Sequence, residues 1–156
     1  MKRKREGRKG KKRRFRRPPP VQGCYRILDA NYNRAKEALR MSEDLMRFMA
    51  GHRELALAFK NLRHRLSRLL LNFPVAYGSL VAARDAPSDP GRGQWVRDRS
   101  SKPDCRDLLT ANLKRAQEAV RVLEEISKIV AGRRAPAFEK IRFELYELEK
   151  KALRKF

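Results

Sequence analysis

Apolar residues recur at helical spacing in four stretches of the chain, and each stretch is bounded by recognisable start and stop signals. The first predicts a helix from about Tyr25 to Ala50, stopped by Gly51, a residue suited to the position after a helix end. A second runs from about Glu54 to Asn72 with Leu55, Phe59, Leu62, Leu66, Leu69 and Leu70 on one face, and closes before Pro74. A third, over about 104–131, opens on Asp104 and Asp107, which suit a helix N-terminus. The fourth runs from Pro136 to Leu153 and places Phe138, Ile141, Leu145 and Leu148 at helical spacing. Strand-like alternation is nearly absent, so the expected class is all-α.

The helices are related in pairs. Leu28 to Asp44 returns as Leu109 to Glu125 at a constant offset of 81 residues, and both copies run on to Ala-Gly, at Gly51 and Gly132. Phe59, Arg63, Leu66 and Leu69 return as Phe138, Arg142, Leu145 and Leu148 at an offset of 79. The predicted architecture is a duplicated helical hairpin forming a four-helix bundle with pseudo-twofold symmetry and a long irregular middle loop. Its repeat halves span about 24–73 and 104–153, with 74–103 as the linker. Cys24 and Cys105, also 81 apart, read as partly buried free thiols.

Polar residues keep the register as faithfully as apolar ones. Projected at roughly 100° per residue, Leu28, Ala30, Ala35, Ala38, Leu39, Met41, Leu45, Met46, Phe48 and Met49 form one broad face. Asn31 and Arg34 fall inside that face, Glu37 lies at its edge within reach of Arg34, and Arg40 and Glu43 fall on the far side. Asn112, Arg115 and Glu118 repeat the set. A buried polar group without a partner costs about 1–3 kcal/mol, so two such sets call for partners or a ligand. Arg and Asn with carboxylates suit a phosphorylated ligand, since Arg grips phosphate bidentately. No phosphate-binding glycine loop, dinucleotide fingerprint or metal-spaced histidine pair is present.

Net charge is +22, and half of it lies in residues 1–17, where 12 Lys/Arg face the single acid Glu6. This run has almost no apolar content, which predicts a disordered basic tail over 1–20 ahead of one helical domain at 21–156. Residues 2–17 carry the charge needed for non-specific nucleic-acid binding. No stretch reads as a secretory signal or a membrane span, which makes the cytoplasm the expected location. In the linker, Arg84-Asp85 and Asp89-Pro90-Gly91 form either an ordinary turn or a place for Mg²⁺ and a phosphate.

Asp-Ala-Asn-x-Asn-Arg-Ala-x-Glu-Ala-Leu-Arg at 29–40, with Glu43-Asp44, resembles a small all-helical domain often fused in front of thiamine-phosphate synthase. Leu62-Arg63-His64, Ala82-Ala83-Arg84-Asp85 and the run from Ala111-Asn112 to Glu124-Glu125 look like its later motifs, over about residues 24–153 in the same order. The resemblance implies a hydroxymethylpyrimidine-phosphate kinase of thiamine biosynthesis, using ATP and magnesium and supplying a thiamine-phosphate synthase expected as a separate chain. With that activity, the candidate catalytic residues are Arg34, Arg115 and Arg84. Asn31, Asn112, Glu37, Glu118, Arg63 and His64 are the candidate substrate contacts, and Asp85 and Asp89 the candidate metal ligands. The alternative is a non-catalytic helical module whose basic tail binds nucleic acid.

Overall fold

The structure, a computed structural model, describes residues 20–91 and 104–156. The basic run at 1–17 and the end of the linker at 92–103 lie outside the described residues. The first helix, α1, spans Pro20–Asp44 and passes into a π turn at Leu45–Met49. Next come α2 at Arg53–Leu71, the short α3 at Tyr77–Ala82, α4 at Cys105–Ala131, a 3₁₀ turn at Gly132–Arg134, and α5 at Ala135–Ala152.

The protein is all-helical, and its four long helices form a bundle of two like hairpins, α1–α2 and α4–α5. The closest packing joins the halves: α1 lies more extensively on α4 than on its own hairpin partner α2. Leu28, Leu39 and Met46 of α1 meet a core that includes Leu109, Leu113 and Leu123 of α4, with Phe59 and Phe138 supplied by the outer helices. Both cysteines are free and half-buried.

Several local expectations are revised. Pro20, expected as the last residue of the tail, begins α1; proline is tolerated in a first turn because its missing N–H has no helical partner there. Gly51 takes the positive φ of 62° that a helix stop favours, whereas Gly132 has φ −44° and continues into the 3₁₀ turn. The apolar face is narrower than projected, because Met41, Phe48 and Met49 are exposed. The π turn adds a residue to the last turn and shifts the register, so a straight projection fails beyond Asp44. The linker is not wholly irregular: α3 buries Leu80 against the bundle.

The start of α4 is held by a reciprocal capping box, with Asp107 N–H donating to Asp104 Oδ1 at 2.7 Å and Asp104 N–H to Asp107 Oδ2 at 3.4 Å. Asp104→Ala is expected to cost about 1 kcal/mol, within the range for N-cap loss, read as a lower midpoint in urea. An unchanged midpoint would mean that the cap does not hold this helix in solution.

Candidate functional site

The repeated polar residues separate into two kinds once burial is known. Asn31 and Asn112 are buried and satisfied locally: each amide donates to the carbonyl four residues back, Ile27 O at 2.9 Å and Leu108 O at 2.8 Å. Each side-chain oxygen accepts from the arginine three residues on, Arg34 Nη1 at 3.5 Å and Arg115 Nη1 at 3.2 Å. Arg34 and Arg115 themselves are exposed. Their long stems carry the guanidinium out to water, so they do not sit inside the apolar face. Glu37, Glu118 and His64 are also exposed, and no ion pair joins Arg34 to Glu37 among the described residues.

Among the carboxylates that repeat in both halves, the buried ones are Glu43 and Glu124, at the position projected onto the far side of the helix. The bundle covers that side as well, because α2 packs on α1 and α5 on α4. Arg63 Nη2 lies 2.8 Å from Glu43 Oε2, and Arg142 Nε lies 2.8 Å from Glu124 Oε2. Arg40 and Arg121 approach the same two carboxylates from the surface. The hydrogen bonds that Arg142 donates to Glu124 and to the Tyr146 hydroxyl hold its pKa well above the ordinary value. Arg63, expected to touch substrate, is thus engaged in pinning α2 to α1.

The first half gathers repeated polar residues around an open cleft. The linker returns over α1 after α3, and Arg84 grips Asp29 through Nε to Oδ2 at 2.6 Å and Nη2 to Oδ1 at 2.7 Å. Asp29 is 5% exposed, while Arg84 keeps about half of its side chain in solvent. The hydrogen bond to Asp29 raises the Arg84 pKa far above its ordinary value, so the guanidinium stays charged. Arg26 Nη2 donates to the Asp85 carbonyl at 3.2 Å, a second tie between α1 and the linker. Between them lies a cleft of about 360 Å³ lined by Arg26, Asn31, Arg34, Arg84, Asp85 and Asp89. Asn31, Arg34, Arg84, Asp85 and Asp89 are thereby brought together; Asn112, Arg115, Glu37, Glu118, Arg63 and His64 do not line it.

Asp85 and Asp89 sit in a tight turn. Asp85 accepts from the Ser88 N–H at 3.3 Å and from the Ser88 hydroxyl, and Asp89 Oδ1 accepts from the Gly91 N–H at 2.9 Å. No group of three or more His, Cys, Asp or Glu able to hold a metal ion occurs among the described residues. Magnesium commonly takes only one or two carboxylates and completes its shell with water and phosphate oxygens. Asp85 and Asp89 supply two hard oxygen donors, too few to form a metal cage by protein alone.

Asp29 is the residue that sequence reasoning passed over. A usable signal existed: within a register that otherwise repeats, Asp29 faces Thr110 in the second copy, where the hydroxyl only returns to Arg106 O at 2.8 Å. A carboxylate kept in one half alone marks the half that carries the cleft.

Residues 26–151 match the ThiD2 family. The chain belongs to that family. It is 41% identical over 128 residues to a thiamine-phosphate synthase of Nostoc punctiforme, covering 82% of this chain and 35% of that protein. A thiamine-phosphate synthase of Synechocystis is 42% identical, over 80% of this chain and 34% of the relative. One of Rhodopirellula baltica is 36% identical, over 78% and 32%. The chain thus spans about a third of the length of the curated relatives it matches. No solved structure matches it.

These relatives overturn the expectation of a kinase acting on hydroxymethylpyrimidine phosphate, because they are named for thiamine-phosphate synthesis and not for that phosphorylation. The motifs carry family membership; they do not by themselves say which bond is made. The reading as a nucleic-acid module gains no support from these relatives, and residues 2–17, on which it rests, lie outside the described residues. No helix among the described residues is long and apolar enough to cross a membrane.

Proposed function

We propose that this chain is a domain serving thiamine-phosphate formation, and that the α1–linker cleft holds the phosphate of a phosphorylated pyrimidine reactant together with magnesium. The observation that carries this reading is the composition of the cleft. Three arginines, Arg26, Arg34 and Arg84, share it with three aspartates, Asp29, Asp85 and Asp89, so its formal charges cancel. A bare phosphate dianion gains little net attraction from such a site. A phosphate that arrives with a divalent cation is matched twice, its oxygens by the guanidiniums and its metal by Asp85 and Asp89.

Within the cleft each side chain has a separate task. Arg84 is oriented by Asp29 and keeps half its surface open, so it can receive phosphate without leaving its partner. Arg34 is tied only weakly, through Asn31, and can swing toward the ligand. Magnesium would be held by Asp85 and Asp89, where it neutralises phosphate charge. The triphosphate of ATP presents the same chemistry, so ATP with magnesium is included in the proposal as a competing occupant.

Calorimetry with hydroxymethylpyrimidine phosphate, with and without magnesium, tests the reading. Binding is expected to depend on magnesium in the wild type, and Asp85→Asn should raise the magnesium concentration needed while leaving the melting temperature unchanged. Binding that is indifferent to magnesium, or unaltered in Asp85→Asn, would refute the assignment of this cleft.

A further inference from the structure

A second cavity, of about 470 Å³, has in its lining Asn33, which hydrogen-bonds to the Asp29 of the cleft. Its volume falls in the range of small-molecule sites. Tyr32, Phe73 and Tyr77 line it together with the polar side chains of Asn33 and Ser67. The two linings are linked by side chains: Asn33 Nδ2 donates to Asp29 Oδ1 at 3.3 Å, and Asp29 in turn receives Arg84. Asn33 Nδ2 also donates to Asp29 O at 3.0 Å, which leaves Asn33 Oδ1 as an acceptor with no protein donor among the described residues. The Tyr32 hydroxyl donates to Ser67 Oγ at 3.2 Å, so the polar end of that ring is already satisfied, and the buried ring contributes an edge of the cavity lining.

Among the described residues, the corresponding corner of the second half is built differently. At the offset of 81, Leu113 stands for Tyr32, Lys114 for Asn33 and Gln117 for Lys36; at the offset of 79, Glu149 stands for Leu70. These replacements fill the corner with a polar network. Lys114 Nζ lies 2.8 Å from Glu149 Oε1, and Gln117 Nε2 donates to Glu149 Oε2 at 2.8 Å. The pseudo-symmetry therefore breaks twice among the described residues, at Asp29 against Thr110 and at the cavity-lining Asn33 and Lys36 against the Lys114–Gln117–Glu149 network.

We infer that the cavity of Tyr32, Phe73 and Tyr77 is a subsite for a flat, nitrogen-bearing aromatic ring whose phosphate reaches Arg84, so that each chain has one ligand site, on its first half. The inference deepens the proposed function and rests on it for the phosphate. Aromatic walls accept a ring by offset or edge-on stacking. Asn33 Oδ1 can accept from an exocyclic amine, and Lys36, whose Nζ lies 5.5 Å from the Tyr32 ring centroid, places a cation at the rim. A purely aliphatic phosphate would leave these groups unused.

The test compares three probes by calorimetry: the aminopyrimidine phosphate, the unphosphorylated aminopyrimidine, and inorganic phosphate with magnesium. Ala76, an exposed residue lining the cavity, is replaced by Phe to fill it. In Ala76→Phe both pyrimidines should bind at least tenfold more weakly, with inorganic phosphate unchanged, and the wild type should bind one pyrimidine phosphate per chain. Tyr77→Leu, at a half-exposed ring, should weaken both pyrimidines without lowering the melting temperature. Undiminished binding of both pyrimidines in Ala76→Phe, or two equal sites per chain, would overturn the inference. Wild type that binds the unphosphorylated pyrimidine but not inorganic phosphate with magnesium would overturn the proposed function and leave the ring subsite standing.

Discussion

Replacing Arg63 with Met is expected to destabilise the protein by about 3 kcal/mol, the lower end of the range for breaking a buried ion pair. Glu43, only 4% exposed, loses the guanidinium that meets it at 2.8 Å. The loss is not at the upper end because Arg40 Nη1 stays 3.6 Å away and reaches solvent. Met restores most of the arginine stem's apolar volume, so the effect isolates the uncompensated charge. Arg142→Met should act alike through Glu124, with Arg121 as the residual partner. Adding Glu43→Gln to Arg63→Met should recover part of the loss, since the charge that needed a partner is then gone. Urea unfolding measures all of these, and a midpoint for Arg63→Met equal to wild type would show that the pair contributes nothing.

Arg34→Met is expected to do the reverse. Arg34 is exposed, with one long hydrogen bond of 3.5 Å to Asn31, so stability should move by no more than about 0.5 kcal/mol. Binding of the phosphorylated pyrimidine with magnesium should weaken by about 1.5–3 kcal/mol, the range for hydrogen bonds to charged groups. Arg115→Met, at the equivalent place in the second half, should change neither quantity, because Arg115 does not line the cleft. Equal affinities for wild type and Arg34→Met would remove Arg34 from the site.

The contrast between Arg63 and Arg34 also shows what the sequence makes legible. Helix spans and the doubling follow from local periodicity and capping, and the four long helices lie within a few residues of expectation, save that α1 begins at Pro20. Which polar residue is buried depends on what packs opposite, and periodicity does not carry that information. A projection of α1 counts apolar residues and finds the face toward α4, but Glu43 is polar and is buried by α2 instead. Arg34 projects inward at its Cα and still reaches water, because its stem is long. The cleft was half legible: Arg84, Asp85 and Asp89 stand together in sequence, whereas their docking on Asp29 joins residues 55 apart and becomes visible only in the fold.

The packing of α1 on α4 has a further consequence. In a free pair of hairpins, that contact would form only at sufficient concentration; carried on one chain, it becomes intramolecular and independent of dilution. A hairpin relieved of the need to find a twin no longer has to match it at every position. The second half is then free to carry the Lys114–Gln117–Glu149 network where the first half has a cavity, and to serve as its scaffold. A duplicated chain can in this way carry one asymmetric cleft on a nearly symmetric frame, which a strict homodimer of hairpins could not build without building it twice.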